Sequence, residues 1–202
     1  MNKNIYQKYP TFCLLPFTHI STSNDGNYRT CCVSEEVALF KKNGEPYNVR
    51  RDNVLEVWNS EQYRQLRKDL LTGVKNPICN ACWKFEETGG YSKRLNNIEE
   101  ENNLNPDFEV FINDALANDG NLSTPPTDLD LRVEIRCNSK CITCYPGSSS
   151  MHQDEQDLMI EQGIELPGLL KLYNEQRKKF NLKIEDLNPK DVNVEAIIDN
   201  LD

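Results

Sequence analysis

The hydrophobic pattern of the first third of the chain predicts two extended segments separated by a turn. Apolar residues dominate positions 13–20 and recur at 27–33, and the polar stretch between them ends in Gly26. Glycine tolerates the positive φ that a tight turn needs, so this pattern favours a β-hairpin. Such a hairpin would bring Cys13 near Cys31.

Helical spacing of apolar residues begins after this hairpin. The apolar face of the predicted helix is formed by Tyr63, Leu66 and Leu70. Asn59 or Ser60 can cap its start, and Gln62 completes a capping-box pattern with Asn59. Gly73 is expected to end the helix. Because the helix folds the chain back, the next two cysteines are predicted to lie near the hairpin.

The pattern changes after a break at residues 123–127, where two consecutive prolines interrupt both helix and sheet. Residues 129–136 are typical of a β-strand, and 151–163 and 166–180 are predicted to be helices. A short apolar stripe of helical spacing follows at Val194, Ile197, Ile198 and Leu201. No second strand is predicted after 129–136, so that strand would expose unpaired backbone groups at both of its edges.

Composition and charge narrow the classes of partner. The 202 residues are 38% hydrophobic, below the roughly 45 to 50% typical of globular proteins, so part of the order is expected to come from outside the core. The formal charge of -9 argues against tight binding to nucleic acid or to an anionic membrane. No apolar run approaches the roughly 18 residues of a membrane span, and the start of the chain lacks the apolar core of a signal peptide. We therefore expect a cytoplasmic protein.

The eight cysteines are the main chemical signal, because the cytosol keeps thiols reduced and metal binding or redox chemistry then becomes the leading explanation. A dispersed set comprises Cys13, Cys31, Cys32, Cys79 and Cys82, and a tight set comprises Cys137, Cys141 and Cys144. Iron–sulfur cubanes normally take four cysteine thiolates, so the tight set would leave one iron open to substrate or cofactor. Alternatively, three nearby cysteines and one distant cysteine could bind zinc.

The tight set resembles the CX3CX2C signature of radical S-adenosylmethionine (SAM) enzymes. It reads CNSKCITC and directly follows the predicted strand at 129–136. The resemblance implies that Cys137, Cys141 and Cys144 hold a 4Fe-4S cluster whose fourth iron binds SAM. It also implies an enzyme that cleaves SAM reductively to a 5'-deoxyadenosyl radical, with an electron donor and an unknown substrate as further partners. No catalytic side chain can be assigned from the sequence.

The dispersed set resembles the twitch, or half-SPASM, cluster domain of radical SAM proteins. The shared pattern opens with a cysteine, continues with a GX4C segment and closes with a CX2C pair. The resemblance implies an auxiliary 4Fe-4S cluster bound by Cys13, Cys31, Cys79 and Cys82, with Cys32 as the alternative to Cys31. Such a cluster could serve structural stabilisation, electron relay or substrate placement.

Together these resemblances imply a mixed α+β and α/β fold. Residues 1–94 are expected to form a small hairpin-plus-helix, twitch-like iron–sulfur domain, and 95–128 a linker. Residues 129–202 would be the first βα portion of an incomplete radical SAM partial barrel, since the GGE-like motif of the family's second strand is missing. We therefore expect a longer or second polypeptide to complete the barrel. The alternative is a non-catalytic iron–sulfur or electron-carrier module.

Overall fold

A computed structural model describes residues 4–34, 39, 41–97, 108–179 and 194–199 of the chain. The strands are β1 (His19–Thr22), β2 (Tyr28–Arg29) and β3 (Asp128–Asp130). The helices before β3 are α1 (Asn4–Lys8), α2 (Leu15–Thr18), α3 (Val54–Trp58), α4 (Glu61–Thr72), α5 (Asn80–Glu87), α6 (93–97) and α7 (Glu109–Ala117). Those after it are α8 (Ser150–Glu161), α9 (Gly168–Lys179) and α10 (Val194–Asp199). Short 3₁₀ helices span Pro77–Cys79 and Pro146–Ser148.

The predicted hairpin is confirmed as the antiparallel pair of β1 and β2. Gly26 lies in its turn with a φ of 79°, and its N–H donates to the carbonyl of Ser23 at 2.8 Å. The extended structure expected from residue 13 onward is wrong, because residues 15–18 form α2. Pro16 lies in the first turn of that helix, where its fixed φ favours helix and its missing N–H costs nothing.

The third strand joins the hairpin to the segment that precedes the tight cysteine set. β3 pairs parallel to β1, with His19 opposite Asp128, so the sheet order is β2-β1-β3. Beyond β3, the hydroxyl of Thr22 donates to the carbonyl of Arg132 at 2.9 Å and accepts from its N–H at 2.6 Å. The prediction of a strand over 129–136 with two unpaired edges is therefore wrong: the strand is shorter, and one edge is paired to β1.

The predicted helices are mostly confirmed. α4 carries the expected apolar face and ends at Gly73, whose φ of 84° is left-handed. The predicted capping box is wrong, because Asn59 instead holds the backbone of Leu122: its amide nitrogen donates to the Leu122 carbonyl and its oxygen accepts from the Leu122 N–H, both at 3.0 Å. α8 and α9 correspond to the helices predicted at 151–163 and 166–180. Leu201 of the predicted apolar stripe lies outside the described residues.

The core forms where α2, β1, α4 and α7 pack together. The large side chains that are fully buried in it include Phe12, Phe17, Tyr28, Trp58, Tyr63 and Leu66. Part of the expected linker at 95–128 also belongs to this core, since Phe108, Ile112 and Leu122 are buried in it. Residues 98–107 lie outside the described residues, and the division into domains stays a prediction. None of the helices in the described ranges is long and apolar enough to cross a membrane.

One buried cation holds three parts of this core together. The guanidinium of Arg67, on α4, donates to the carbonyls of Pro16, Trp58 and Gly120 at 2.7, 2.8 and 3.0 Å. It also lies 4.2 Å from the ring centroid of Trp58, as a cation–π contact. The segment that carries Cys13 is thereby tied to α4.

Candidate iron–sulfur site

Four of the five dispersed cysteines line one cavity, which we call the cysteine cavity: Cys13, Cys31, Cys79 and Cys82. They come from three segments of the chain. Cys13 lies just before α2, Cys31 lies just after the hairpin, and Cys79 and Cys82 lie around the start of α5. Apolar side chains of Leu15, Pro16 and Val33 complete much of the wall. Cys32 is exposed and is absent from this wall, so the geometry favours Cys31 over Cys32 as the donor.

The last two cysteines of the cavity are held by Asn76, which lies four residues after the end of α4. The side-chain oxygen of Asn76 accepts from the N–H of Ile78 at 3.0 Å and so caps the 3₁₀ helix that ends at Cys79. The amide nitrogen of Asn76 donates to Asp69 of α4 at 2.7 Å. The indole of Trp83 donates to the Asn76 carbonyl at 3.0 Å, which fixes the first turn of α5. The CX2C pair is therefore anchored to the end of α4.

The cavity favours the protonated form of three thiols, because the pKa values of Cys13, Cys31 and Cys79 are all raised. Burial raises the pKa of Cys13 well above its usual range, and Cys31 and Cys79 raise it further. Burial also raises the pKa of Cys31, and it raises the pKa of Cys79 to about 12, with neighbouring thiols adding to the effect. Metal ligation requires thiolates, so a metal centre here must supply the positive charge that makes deprotonation favourable.

Two basic residues, Lys93 and Arg94, also line the cavity. Arg94 is buried and links the segment before α2 to α5: it donates to the carbonyl of Phe12 at 2.8 Å and to the carboxylate of Glu86 at 2.9 Å. Its charge acts to lower the pKa of Cys79. Sequence reasoning missed both residues, although a basic pair shortly after a CX2C motif is a signal that could have suggested them.

The number and type of the donors suit an iron–sulfur cluster. A four-iron cubane normally takes four cysteine thiolates, and the cysteine cavity offers four cysteines. In the described part of the chain, no three His, Cys, Asp or Glu side chains lie close enough together to hold one metal ion. The four thiols therefore match the ligand count of a cubane.

The tight cysteine set lies on a separate loop that faces solvent. Cys141 is exposed, the neighbouring Ile142 is fully exposed, and Cys137 and Cys144 are half-buried. The loop is tied to α8, where Ser150 accepts from the N–H of Cys137 at 3.1 Å and a ring nitrogen of His152 lies 3.1 Å from the Cys141 carbonyl. His152 is half-buried.

The turn of the hairpin reaches the segment just after this loop. Asn24 donates to the hydroxyl of Ser148 at 2.7 Å and to the carbonyl of Gly147 at 2.6 Å. Gly147 is closely packed, because a Cβ there would lie 2.5 Å from the ring of Tyr145. The two sets of cysteines therefore belong to one connected structure, although they do not share a cavity.

The other histidine, His19, contacts the neighbouring strand of the sheet. His19 is buried in β1, and its Nδ1 lies 2.6 Å from Oδ2 of Asp128 on β3. This contact lies across the parallel strand pair and away from the wall of the cysteine cavity.

Comparison with known families finds a match over the residues that carry the four cysteines of the cavity. Residues 13–83 match the SPASM family, an iron–sulfur cluster-binding domain. The match begins at Cys13 and ends one residue after Cys82, so it contains every cysteine of the cavity. The resemblance expected from the dispersed cysteines is confirmed over these residues. No curated protein and no solved structure matches the chain.

Proposed function

We propose that this chain is an iron–sulfur protein of the radical SAM type, with an auxiliary 4Fe-4S cluster in the cysteine cavity. The observation that carries the proposal is that four thiols from three separated segments line one buried cavity. The match to an iron–sulfur cluster-binding domain over the same residues supports the same chemistry. Cys13, Cys31, Cys79 and Cys82 would hold this cluster. Since protein would then fill all four of its corners, its role is structural stabilisation, electron relay or substrate placement.

The tight set is proposed to hold the cluster that meets SAM. Cys137, Cys141 and Cys144 follow the family's spacing, and their loop is open to solvent, which suits a site that must admit a cofactor. Cys137, Cys141 and Cys144 would hold the cluster, and the cluster would supply the electron for reductive cleavage of SAM bound at its open iron. The chain's own contribution is to hold the loop through Ser150 and His152.

We propose that further strands complete this SAM site, from a longer form of the protein or from a second polypeptide. β3 pairs with β1 on one edge, and no strand of the described residues covers its other edge. Unpaired strand edges readily accept another strand. The substrate and the electron donor would then be recognised by residues of the completed barrel. The alternative function is electron carriage without SAM cleavage, which the closed donor set of the cysteine cavity favours.

Addition of SAM to the reduced protein separates the two functions. The chain is reconstituted anaerobically with iron and sulfide, reduced with dithionite, and its electron paramagnetic resonance spectrum is recorded with and without saturating SAM. We expect SAM to change one of two cluster signals, and this signal should be missing from the Cys141→Ala variant. The signal that survives in Cys141→Ala should not respond to SAM. A spectrum that SAM leaves unchanged would favour the electron-carrier alternative.

A further inference from the structure

The wall of the cysteine cavity contains two hydroxyl side chains, Thr30 and Ser34, and they differ in what they bind. The Ser34 hydroxyl donates to the carbonyl of Cys31 at 2.8 Å. The Thr30 hydroxyl is buried and has no hydrogen-bond partner among the residues that the structure describes. Buried hydroxyls are rarely left without a partner, because burial removes the water that would otherwise bind them. Thr30 is therefore a donor without an acceptor beside the four thiols.

The position of Thr30 is fixed by the elements around it. It directly follows β2 and precedes Cys31, and only 2% of its surface is exposed. Its own carbonyl accepts from the Tyr63 hydroxyl at 3.4 Å, and Tyr63 is fully buried on α4. Because the backbone is held and the side chain lines the cysteine cavity, a group bound in that cavity is the acceptor that this position favours.

We infer that the Thr30 hydroxyl donates a hydrogen bond to a sulfur of the cluster, and thereby raises the reduction potential of that cluster. The inference rests on the proposed cluster in the cysteine cavity. A cluster offers sulfide and thiolate sulfurs as acceptors, which is what the cavity otherwise lacks. Reduction adds negative charge to the cluster, so a donor to sulfur stabilises the reduced state more than the oxidised state. Thr30 would be a tuning residue and not a ligand.

The test compares reduction potentials of matched variants in the full chain. Cys137, Cys141 and Cys144 are first replaced by alanine, so that a single cluster is measured. Thr30→Val then removes the hydroxyl while it keeps the side-chain shape, and Thr30→Ser keeps the hydroxyl. Ser21→Ala is the control, because Ser21 also has a buried hydroxyl without a partner but does not line the cavity.

We expect the Thr30→Val cluster to have a more negative potential. In a solution poised at the midpoint of the parent protein, the ratio of reduced to oxidised cluster should fall about fivefold, the equilibrium equivalent of one net hydrogen bond. Thr30→Ser and Ser21→Ala should keep the parent ratio. An unchanged ratio in a Thr30→Val protein with full iron content would overturn the inference.

Two further results keep the outcomes distinct. If Thr30→Val takes up no iron, the hydrogen bond is tested in the parent protein by transfer to D₂O. A proton that is coupled to the reduced cluster and exchanges rapidly with D₂O supports the hydrogen bond. The absence of such a proton overturns it. If the parent protein itself takes up no iron and sulfide, the proposed function has failed, and the inference that rests on it fails with it. If only the inference fails, the cluster forms but its reduction potential does not change when Thr30 is replaced.

Discussion

Replacement of Arg67 by methionine tests whether the domain depends on a buried cation. Arg67 is fully buried, and its guanidinium donates to three backbone carbonyls and to the side chain of Asn59. Burial lowers the pKa of Arg67 to about 10, so the group remains charged at neutral pH. Among the described residues no carboxylate lies within ion-pair distance of it. The carbonyls, and not a counter-ion, compensate its loss of water.

The size of the expected effect follows from these contacts. Arg67→Met would leave the carbonyls of Pro16, Trp58 and Gly120 without this donor, and a hydrogen bond from a charged donor is worth about 1.5 to 3 kcal/mol. Part of that loss is offset, because the variant no longer has to remove a guanidinium from water. We expect a net loss of about 4 kcal/mol, because each buried acceptor left without its partner costs about 1 to 3 kcal/mol. This is a large share of the roughly 5 to 15 kcal/mol that stabilises a typical domain.

The assay is urea denaturation of the cluster-loaded chain under anaerobic conditions, followed by far-ultraviolet circular dichroism. With a slope near 2 kcal/mol per molar urea, the midpoint of Arg67→Met should fall by about 2 M. The matched control is Arg64→Met on the same helix, where the arginine contacts the exposed Asp119 at 3.8 Å. An exposed pair of this kind contributes less than about 1 kcal/mol. Equal shifts in the two variants would refute the view that Arg67 organises the core.

Two other predictions concern acid stability and backbone strain. Burial acts to raise the pKa of Glu86, but hydrogen bonds from Arg94 and Ser92 lower it overall. The ionised carboxylate should therefore stabilise the fold fully above about pH 4.3, and this stabilisation should be lost as the pH falls through the lower folded-state pKa. In parallel urea titrations, Glu86→Gln should cost about 2 kcal/mol at pH 6 and much less at pH 3. A cost that does not depend on pH would contradict this prediction. Gly120→Ala should lower the melting temperature by several degrees, because Gly120 has a φ of 84° and a Cβ would lie 2.5 Å from the carbonyl oxygen of Arg64, and an unchanged melting temperature would show that the backbone can adjust.

Local signals made part of the fold predictable. The turn at Gly26 and the end of α4 at Gly73 both depend on a positive φ that glycine adopts at low cost, and both positions were identified from the sequence alone. The four cysteines of the cavity were identified in the same way, because their spacing resembles that of a known cluster domain. For the two glycines the signal lies within a short stretch of chain, whereas for the cysteines it lies in their spacing along residues 13–82.

The features that sequence reasoning missed depend on contacts between distant residues. β3 pairs with β1 across 109 residues, and nothing in the sequence of either strand specifies that partner. Asn59 is a residue type that commonly caps helices, but in the folded chain its side chain forms hydrogen bonds with the backbone of Leu122 instead. The role proposed for Thr30 depends on its position in the cavity wall, because a threonine before a cysteine has no distinctive sequence pattern.

Iron and sulfide analysis of one variant tests the central claim most directly. The chain with Cys137, Cys141 and Cys144 all replaced by alanine keeps only the dispersed cysteines, and it is reconstituted anaerobically and freed of unbound iron. We predict about four irons and four acid-labile sulfides per chain, the content of one cubane held by four thiolates. Replacing Cys32 by alanine in this background should leave that content unchanged, because Cys32 is exposed and lies outside the cavity wall. Zinc as the bound metal, or protein without iron and sulfide, would contradict the assignment of the cysteine cavity as an iron–sulfur site.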